Sequence, residues 1–484
     1  MNTDFQKKDR QAVILITIDA LRPDHLKSYG YHRNTAPNLE KFTEKGSLFL
    51  NAITNGPETP TAFSSIFTSI LPFLDGGYSP IPQQKIIFPQ ILKENDINTY
   101  AVHSNPNLGR NFNYDRGYDV FLDGMRYHST DKIKKNLSFY IKKIFSIQKF
   151  VNKLIYRLKG FNTIKSWIRK KLPFLTDILL PFTPIAYNAP YIASKLISFF
   201  NIARSPFFIW AHFMDTHSPY NPPTQNVLNF RDKDFNLVER EFLTKEVYSI
   251  LSNVNKTKKM TEDLKILYDS EINFIDENLK EFFEIIEHHI KRNCLIIITA
   301  DHGESFNEHT IFGHQGSLYE EVLKIPLIIV ELGKKSIKKI IPDIVQLIDI
   351  APTILDFFGI EIPDFYQGQS LLPLIRGNKL KTNKIVISEC YQKNGLMKRN
   401  RKEGFILLAI RKKHWKYIFD EEKNKEFLYN LNSDSQEKTN LIEVYPEKVN
   451  EFRIIKDYHI NKTYDSINEK FKIVKAIDLL NNKI

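Results

Sequence analysis

Asp19, Asp301 and His302 carry side chains that bind hard metal ions when they converge. Asp19 follows the apolar run AVILITI, and Asp301-His302 follows CLIIITA. Continuous apolar runs rich in β-branched residues are typical of strands buried on both faces of a parallel sheet. Ligands bind beyond the carboxyl ends of such strands, where these groups would coordinate a divalent cation. The local alternative is that the acids cap loops or helices and that His302 is an ordinary hydrogen-bonded side chain.

A hydroxyl-rich segment, NGPETPTAFSSIFTS at 55–69, could supply a nucleophile. Pro60 suits the first turn of a helix, which places the Thr59 hydroxyl at the helix N-terminus, where the helix dipole and free N–H groups favour an anion. A metal held by Asp19, Asp301 and His302 would lower the pKa of this hydroxyl and activate it. The local alternative is that Thr59 is only an N-cap, with Ser64 and Ser65 on the helix surface.

Strands that alternate with helices must position these groups. Helices are predicted at 261–290 and 342–358, and weaker strands at 97–104, 207–213, 327–331 and 384–389. This alternation predicts an α/β fold with a mostly parallel sheet. After about residue 386 the pattern changes to antiparallel strands and a final helix. We therefore predict an α/β domain at 10–385, interrupted by an insertion at about 127–200, and a small α+β subdomain at 386–484.

The composition is that of a globular protein, with 42% apolar and 26% charged residues among 484. Its two cysteines provide no disulfide framework, which fits a reducing compartment. The N-terminal sequence lacks the layout of a signal peptide, and no apolar run of about 20 residues predicts a spanning helix. We therefore expect a cytoplasmic protein.

The net charge of +12 comes from one segment, since 132–172 contains 13 Lys or Arg and no Asp or Glu. Within it, 140–158 has the apolar spacing of an amphipathic helix. One interpretation is a lid that packs on the core and solvates its lysines. The other is a peripheral helix that binds anionic membranes, or a basic funnel for anionic substrates. No nucleic-acid-binding motif supports a nucleic-acid partner.

Several blocks, in order along the chain, together resemble the sulfatase family of the alkaline phosphatase superfamily. They cover most of the chain outside about 127–200 and are ITIDALRPDHLKSYGYHRNTAPNLEKFTEKGSLFLNA, TPTAFSSIFTS, HFMDTHSPY, TADHGESFNEHTIFGHQGSLYEEVLKIPLII, QLIDIAPTILDFFGI, GQSLLPL, LAIRKKHWKYI and EFLYNLNSDSQEKTNLI. The resemblance implies an alkaline-phosphatase-like three-layer sandwich with a small C-terminal α+β subdomain.

The resemblance also implies roles for individual residues. Asp19, Asp301 and His302 match metal ligands, and Thr59 matches the metal-bound nucleophile. His217 and His314 match histidines that hold the ester or protonate the leaving group, a task to which histidine is suited near neutral pH. Arg22 matches a basic residue near the nucleophile, although it could be a surface ion pair. We expect one divalent metal ion (Ca, Mg, Mn or Zn), and we expect His212 to pack beside its strand and His309 to lie on a loop surface.

The chain departs from the family pattern in three respects. Thr59 replaces the Cys or Ser that is converted to formylglycine, and Phe63 replaces the Arg of that motif. Ala20 replaces a second Asp, and Asp301-His302 replaces the more frequent Asp-Asn or Asp-Gln. An alkoxide can attack phosphorus and form a phosphothreonine, but it lacks the route by which formylglycine releases sulfate.

We therefore expect a hydrolase or transferase of sulfuric or phosphoric esters, with phosphoryl chemistry favoured and a small-molecule, glycan or lipid ester as substrate. One alternative is a two-metal enzyme similar to nucleotide pyrophosphatases and phosphodiesterases, with Asp215, His217 and His314 as the second cluster. Another is a non-catalytic member of the family that acts as an interaction protein.

Overall fold

The computed structural model describes residues 11–75, 80–124, 188–236, 239–240, 243, 258–289, 293–333, 338–379, 385–398 and 400–481, with side chains up to residue 463. The basic segment 132–172 and the amphipathic helix expected at 140–158 lie outside the described residues. Residues 1–123 and 187–484 belong to one compact unit.

An eight-stranded sheet is the centre of this unit. Its strands are β1 Gln11–Ile18, β2 Ser47–Ile53, β3 Asn98–Val102, β4 Val120–Leu122, β5 Phe207–Phe213, β6 Asn293–Ala300, β9 Lys324–Leu332 and β10 Lys339–Gln346. The strand order is β10-β2-β9-β6-β1-β5-β3-β4. Only β9 among them runs antiparallel to its neighbours, so the prediction of a mostly parallel sheet is confirmed.

Helices cover both faces of the sheet, except that the last one, Pro446–Asn481, packs on the C-terminal part. They are α1 Pro37–Thr43, α2 Thr59–Thr68, α3 Phe88–Glu94, α4 Ala189–Ile202, α5 Thr224–Leu228, α6 Lys258–His289, α7 Glu320–Leu323, α8 Ile350–Phe357, α9 Leu372–Ile375 and α10 Pro446–Asn481. Short 3-10 turns lie at Pro23–His25, Lys27–Tyr29, Pro72–Asp75, Pro106–Leu108, Arg110–Phe112 and Leu347–Asp349.

The side chains of β5 show which helices lie on which face, because successive residues of a strand point to opposite faces. The ring of Phe207 contacts Phe200 of α4, with centroids 6.1 Å apart. The ring of Trp210 contacts Phe67 of α2, with centroids 5.0 Å apart. Helices α4 and α2 therefore cover opposite faces, and His212, two residues after Trp210, points to the α2 face.

The C-terminal part contains a second sheet of five antiparallel strands, in the order β12-β11-β13-β14-β15. They are β11 Ile385–Lys393, β12 Leu396–Lys398, β13 Phe405–Lys412, β14 Trp415–Asp420 and β15 Lys425–Asn430. Phe452 of α10 stacks on Tyr417 of this sheet, with centroids 5.7 Å apart. A two-stranded ribbon, β7 Ser305–Phe306 and β8 Phe312–Gly313, follows β6.

Some predicted elements differ from the structure. The helix predicted at 342–358 is wrong in its first half, since β10 continues to Gln346 and α8 begins at Ile350. The strand predicted at 384–389 is present, but it belongs to the second sheet. Strand β2 was not predicted. No helix in the described part of the chain is long and apolar enough to cross a membrane.

Candidate active site

The pairing of β1 with β6 brings the predicted metal ligands together. Ile18 lies opposite Ala300 in this parallel pair, so Asp19 and Asp301 leave the sheet side by side. Ligand atoms of Asp19, Asp301 and His302 all lie within 4.8 Å of one another, and all three residues are fully buried. This is the only such group of three or more His, Cys, Asp or Glu found among the described residues.

Helix α2 brings the Thr59 hydroxyl to the same point. Trp210 Nε1 donates a hydrogen bond to Thr17 Oγ1 (3.0 Å), so Thr17 and Asp19 lie on the sheet face that α2 covers. The helix begins at Thr59, one residue before the start expected near Pro60, so its N-cap is Glu58 and not Thr59. Ser64 and Ser65 are buried, so their placement on the helix surface in the local alternative is wrong. Thr59 Oγ1 donates to Asp19 Oδ2 (3.3 Å) and lies 3.4 Å from His302 Nε2.

The hydrogen bonds of the two carboxylates leave one oxygen of each without a partner. Asp19 Oδ2 accepts from Thr59 and from Asn105 Nδ2 (3.2 Å), whereas Asp19 Oδ1 has no hydrogen-bond partner among the described residues. Asp301 Oδ1 accepts from the backbone N–H groups of Ala20 (3.2 Å) and His302 (2.9 Å), and Asp301 Oδ2 has no partner in the described part. Buried carboxylate oxygens without donors fit a bound cation.

His302 is oriented so that one nitrogen is free to act as a ligand. Its Nδ1 lies 2.8 Å from the carbonyl oxygen of Gly303. A carbonyl only accepts, so Nδ1 carries a proton, and the Nε2 atom faces Asp19 and Thr59. Neutral imidazole oriented in this way is a metal ligand in many proteins.

Histidines 217 and 314 lie beside this centre. The ring of His314 is 4.2 Å from that of His302 and 5.4 Å from that of His217. His314 Nδ1 is 3.3 Å from Glu304 Oε1. Burial alone would lower the pKa of His314, but the charge and hydrogen bond of Glu304 raise it above its ordinary value. His217 Nδ1 donates to the carbonyl of Ser218 (2.7 Å), which leaves its Nε2 for a ligand.

The electrostatics of the pocket keep Asp19 ionised. Burial alone would raise the pKa of Asp19, but His217, the hydrogen bond of His212 and the charge of His302 lower it well below its ordinary value. Glu58, which precedes Thr59, behaves in the opposite way, because burial raises its pKa against the charges of His314, His302 and His217.

Arg22 is buried, so the interpretation as a surface ion pair is wrong. Its guanidinium contacts Asp24 (2.6 Å), Glu308 (2.8 Å) and the carbonyl oxygen of Glu304 (2.8 Å). These contacts join the loop after β1 to the loop that carries Glu304. A direct role of Arg22 beside the nucleophile stays a prediction.

Three further predictions concern single residues. His212 is buried at the end of β5, as expected, but its Nε2 also lies 3.4 Å from Asp19 Oδ2. His309 is not a loop-surface residue, because it stacks on Tyr319 with centroids 3.6 Å apart and lies 2.8 Å from Glu321. Asp215 accepts a hydrogen bond from the backbone N–H of Ala189 (3.0 Å), at the start of α4.

Sequence analysis missed Asn105, Glu304 and the backbone of Ala20. Asn105 and Glu304 lie on loops after β3 and β6, and neither follows its strand directly. Ala20 has a φ of 55°, a conformation that non-glycine residues adopt only where the surrounding structure imposes it. Here it directs the Ala20 N–H to Asp301. No signal in the sequence indicates this conformation.

Comparison with known proteins agrees with the fold. The family model "Sulfatase" matches residues 11–360, and the model "N-sulphoglucosamine sulphohydrolase, C-terminal" matches residues 307–461. A relative, an arylsulfatase of Clostridium perfringens, is 23% identical over 497 residues, covering 96% of this chain and 97% of the relative.

Two solved structures share the fold. One is a protein in complex with its substrate D-glucosamine-2-N,6-O-disulfate, with a TM-score of 0.67 and 17% identity over 94% of this chain and 98% of the other. The second is the phosphonate monoester hydrolase of Agrobacterium radiobacter, with a TM-score of 0.65 and 18% identity over 92% of this chain and 96% of the other.

The mostly parallel sheet, its two helical layers and the C-terminal antiparallel sheet define an alkaline-phosphatase-like hydrolase fold. Because the family model matches residues 11–360, well over half of the chain, the chain belongs to the sulfatase family.

Proposed function

We propose that this protein is a divalent-metal-dependent hydrolase or transferase of phosphoric or sulfuric esters, with Thr59 as the nucleophile. The observation that carries this proposal is the position of Thr59 Oγ1. It lies at the N-terminus of α2, 3.3 Å from Asp19 Oδ2 and 3.4 Å from His302 Nε2, beside two carboxylate oxygens without partners in the described part of the chain.

Asp19, Asp301 and His302 would hold the metal ion, and Thr59 would join them. When bound, a divalent cation acts as a Lewis acid that polarises a phosphoryl or sulfuryl oxygen and favours the alkoxide form of a hydroxyl. The residues fit this role because carboxylate oxygens and an imidazole nitrogen are ligand atoms for such ions, and Asp19 Oδ1, Asp301 Oδ2 and His302 Nε2 face one another in the site.

The protein's own residues account for the remaining chemistry. The Thr59 hydroxyl donates to Asp19 Oδ2, which would take its proton as the Thr59 oxygen attacks the ester and would return it when Thr59 is released. As the new bond to Thr59 Oγ1 forms, the bond to the leaving alcohol breaks and His314 donates a proton to that alcohol's oxygen. Glu304 raises the pKa of His314, which favours the protonated imidazole that this step needs, and His217 binds the transferred group. Water, or an acceptor alcohol, then releases the group from Thr59.

Thr59 and Phe63, which stand at two positions of the formylglycine motif, favour phosphoryl transfer over sulfuryl transfer. Thr59 cannot be converted to formylglycine. Phe63, in place of the motif's Arg, is fully buried and contacts His212 with ring centroids 4.9 Å apart. Without an aldehyde hydrate there is no elimination step to release sulfate, whereas a phosphothreonine can be hydrolysed directly.

A sulfated glycan is the second candidate substrate. It is favoured by the family itself and by the fold neighbour that was solved with D-glucosamine-2-N,6-O-disulfate. The same Thr59 and histidines would act on a sulfuryl group, but we expect slow release from Thr59.

Initial rates on an aryl phosphate, a bis-aryl phosphate diester and an aryl sulfate, with Ca, Mg, Mn and Zn in turn, test the proposal. We expect the phosphate esters to be cleaved fastest, and only with metal. Thr68→Ala is the matched control for Thr59→Ala, because Thr68 is a buried threonine at the other end of α2. Faster cleavage of the sulfate would contradict the phosphoryl preference.

Metal content separates this proposal from its rivals. We expect one equivalent of divalent metal per chain, by elemental analysis of purified protein, and none in Asp301→Asn. A protein without bound metal would favour the non-catalytic alternative. Two equivalents would favour the two-metal alternative, although Asp215 is not part of a three-ligand group among the described residues.

We also propose that the basic segment 132–172 binds anionic membranes. Its 13 positive charges without an acid support this. We expect the full chain to cosediment with phosphatidylserine-containing vesicles at low salt and to remain in solution with phosphatidylcholine alone. The proposal is refuted if the full chain cosediments with neither kind of vesicle.

A further inference from the structure

Glu58 immediately precedes Thr59 and occupies the N-cap position of α2. An acidic residue there would ordinarily accept a hydrogen bond from the first turn of the helix. The Glu58 side chain makes no such bond. Its backbone carbonyl accepts from Ala62 N (3.0 Å) and Thr61 Oγ1 (2.9 Å) instead. The carboxylate is therefore not needed to cap the helix.

The Glu58 carboxylate is buried without a partner among the described residues. The residue is 5% exposed, and its Oε1 is buried with no hydrogen bond in that part of the chain. The site histidines His314, His302 and His217 lie close enough to Glu58 to interact with its charge, and buried Cys390 lies within the same reach. A buried carboxylate oxygen without a donor is unfavourable, so a ligand that supplies a donor would be bound preferentially.

The charge of Glu58 decides which part of a substrate it can contact. The transferred phosphoryl or sulfuryl group is anionic and would be repelled by a carboxylate. The leaving alcohol is not anionic before the bond breaks, and it enters beside His314, which protonates it. A hydroxyl or ammonium group of this alcohol can therefore donate a hydrogen bond to the Glu58 carboxylate.

We propose that Glu58 Oε1 accepts a hydrogen bond from a hydroxyl or ammonium group of the substrate alcohol, adjacent to the ester oxygen. Glu58 is then a specificity-determining residue that selects esters of polyhydroxylated or amino alcohols, such as sugars, over aryl esters. This inference rests on the proposed function, since it assigns the leaving-group side of the same site.

The test compares substrates that differ only in donors beside the ester. Glucosamine 6-phosphate offers an ammonium and hydroxyl groups, glucose 6-phosphate offers hydroxyl groups, and 4-nitrophenyl phosphate offers neither; the corresponding sulfates are run in parallel. Each is assayed with wild type, Glu58→Ala and Glu58→Gln. The matched control is Glu331→Gln, because Glu331 is also a buried glutamate but lies far from the site. In the antiparallel pair of β9 and β6 it is opposite Leu295, near the start of β6, whereas the site lies beyond the end of β6.

We expect Glu58→Ala to lower the ratio of sugar-ester to aryl-ester kcat/KM by about 10- to 100-fold, the usual range for one hydrogen bond to a charged group. Glu58→Gln, which keeps an acceptor but not the charge, should lose more on glucosamine 6-phosphate than on glucose 6-phosphate if the donor is an ammonium. Equal losses on both sugars would identify a hydroxyl. Glu331→Gln should leave the ratio unchanged. An equal fold loss of Glu58→Ala on sugar and aryl esters would overturn the inference.

Binding separates failure of this inference from failure of the proposed function. Calorimetric titration of glucosamine 6-phosphate and 6-sulfate into Thr59→Ala needs no turnover. We expect at least one of these two ligands to bind Thr59→Ala about 10-fold or more tightly than it binds the double variant that also carries Glu58→Ala. Absence of cleavage by wild type would refute the proposed function alone. Equal binding by both variants, or binding by neither, would refute the role of Glu58.

Discussion

Asp301→Asn should stabilise the metal-free protein and abolish its response to divalent metals. Asp19 and Asp301 are both fully buried, and each has a carboxylate oxygen without a partner among the described residues. The asparagine keeps an oxygen for the N–H groups of Ala20 and His302. The asparagine side chain also places an amide N–H donor at the position of Asp301 Oδ2, which faces the site, and it removes one of the two carboxylate charges of Asp19 and Asp301.

The size of the effect follows from the distance between the carboxylates. Their ligand oxygens lie within 4.8 Å of each other, where two unit charges repel by about 3.5 kcal/mol at an effective dielectric constant of about 20. A chain of 484 residues unfolds with an entropy of about 1 kcal/mol/K. Removing the repulsion should therefore raise the melting temperature by about 3 °C in chelator.

Metal should bring the melting temperature of wild type close to that of Asp301→Asn. A ligand at a hundredfold excess over its Kd stabilises the folded state by about 2.7 kcal/mol, so wild type should gain about 3 °C on addition of metal, and Asp301→Asn should gain little. The assay is thermal melting at pH 8, where ordinary histidines are neutral and cannot offset the repulsion.

Asp349→Asn is the matched control for this experiment. Asp349 is also fully buried, but its two oxygens accept backbone N–H groups of Gln346 (2.9 Å) and Gln369 (3.0 Å). Its substitution should lower the melting temperature in chelator and leave the response to metal intact. The reasoning is refuted if Asp301→Asn melts below wild type in chelator, or if metal stabilises it as much as it stabilises wild type.

Two further predictions concern charged pairs. Because Glu304 raises the pKa of His314, the protonated imidazole is present below that raised pKa and is lost as pH rises through it. Glu304→Gln should therefore move the alkaline limb of the pH–rate profile to lower pH. An unmoved limb would exclude His314 as the acid. Lys416→Ala should lower the free energy of unfolding, measured with denaturant, by about 3–5 kcal/mol. In wild type the Lys416 ammonium lies 2.8 Å from the buried carboxylate of Glu437, which loses this partner in the variant. Lys412→Ala, in a half-exposed pair, should cost at most about 1 kcal/mol, and equal costs would contradict this account of the buried pair.

The convergence of Asp19, Asp301 and His302 could be predicted because these residues follow two strands with continuous apolar runs. Asp19 and Asp301 stand at the ends of β1 and β6, and the pairing of those strands alone places them together. Thr59 could be placed because Pro60 marks the start of α2. In these cases the position of the residue along the chain determines its position in space.

Other site residues depend on loops and on tertiary contacts, which leave no periodic pattern. Glu304 and Asn105 reach the site from loops, and the buried partners of Arg22 are remote in sequence. Strand β10 was not predicted because its short apolar groups, Ile340-Ile341 and Ile344-Val345, resemble those that lead into α8. Apolar runs of this length fit both strand and helix, and the choice is made by pairing with β2.

The most direct test of the central claim is turnover of an aryl phosphate by Thr59→Ala and Thr59→Ser, with metal content and melting temperature measured on the same samples. The account predicts that Thr59→Ala binds metal, folds, and is at least about 1,000-fold slower, the usual scale for loss of a nucleophile, whereas Thr59→Ser keeps measurable turnover. A folded Thr59→Ala variant within tenfold of wild type would show that Thr59 is not the nucleophile.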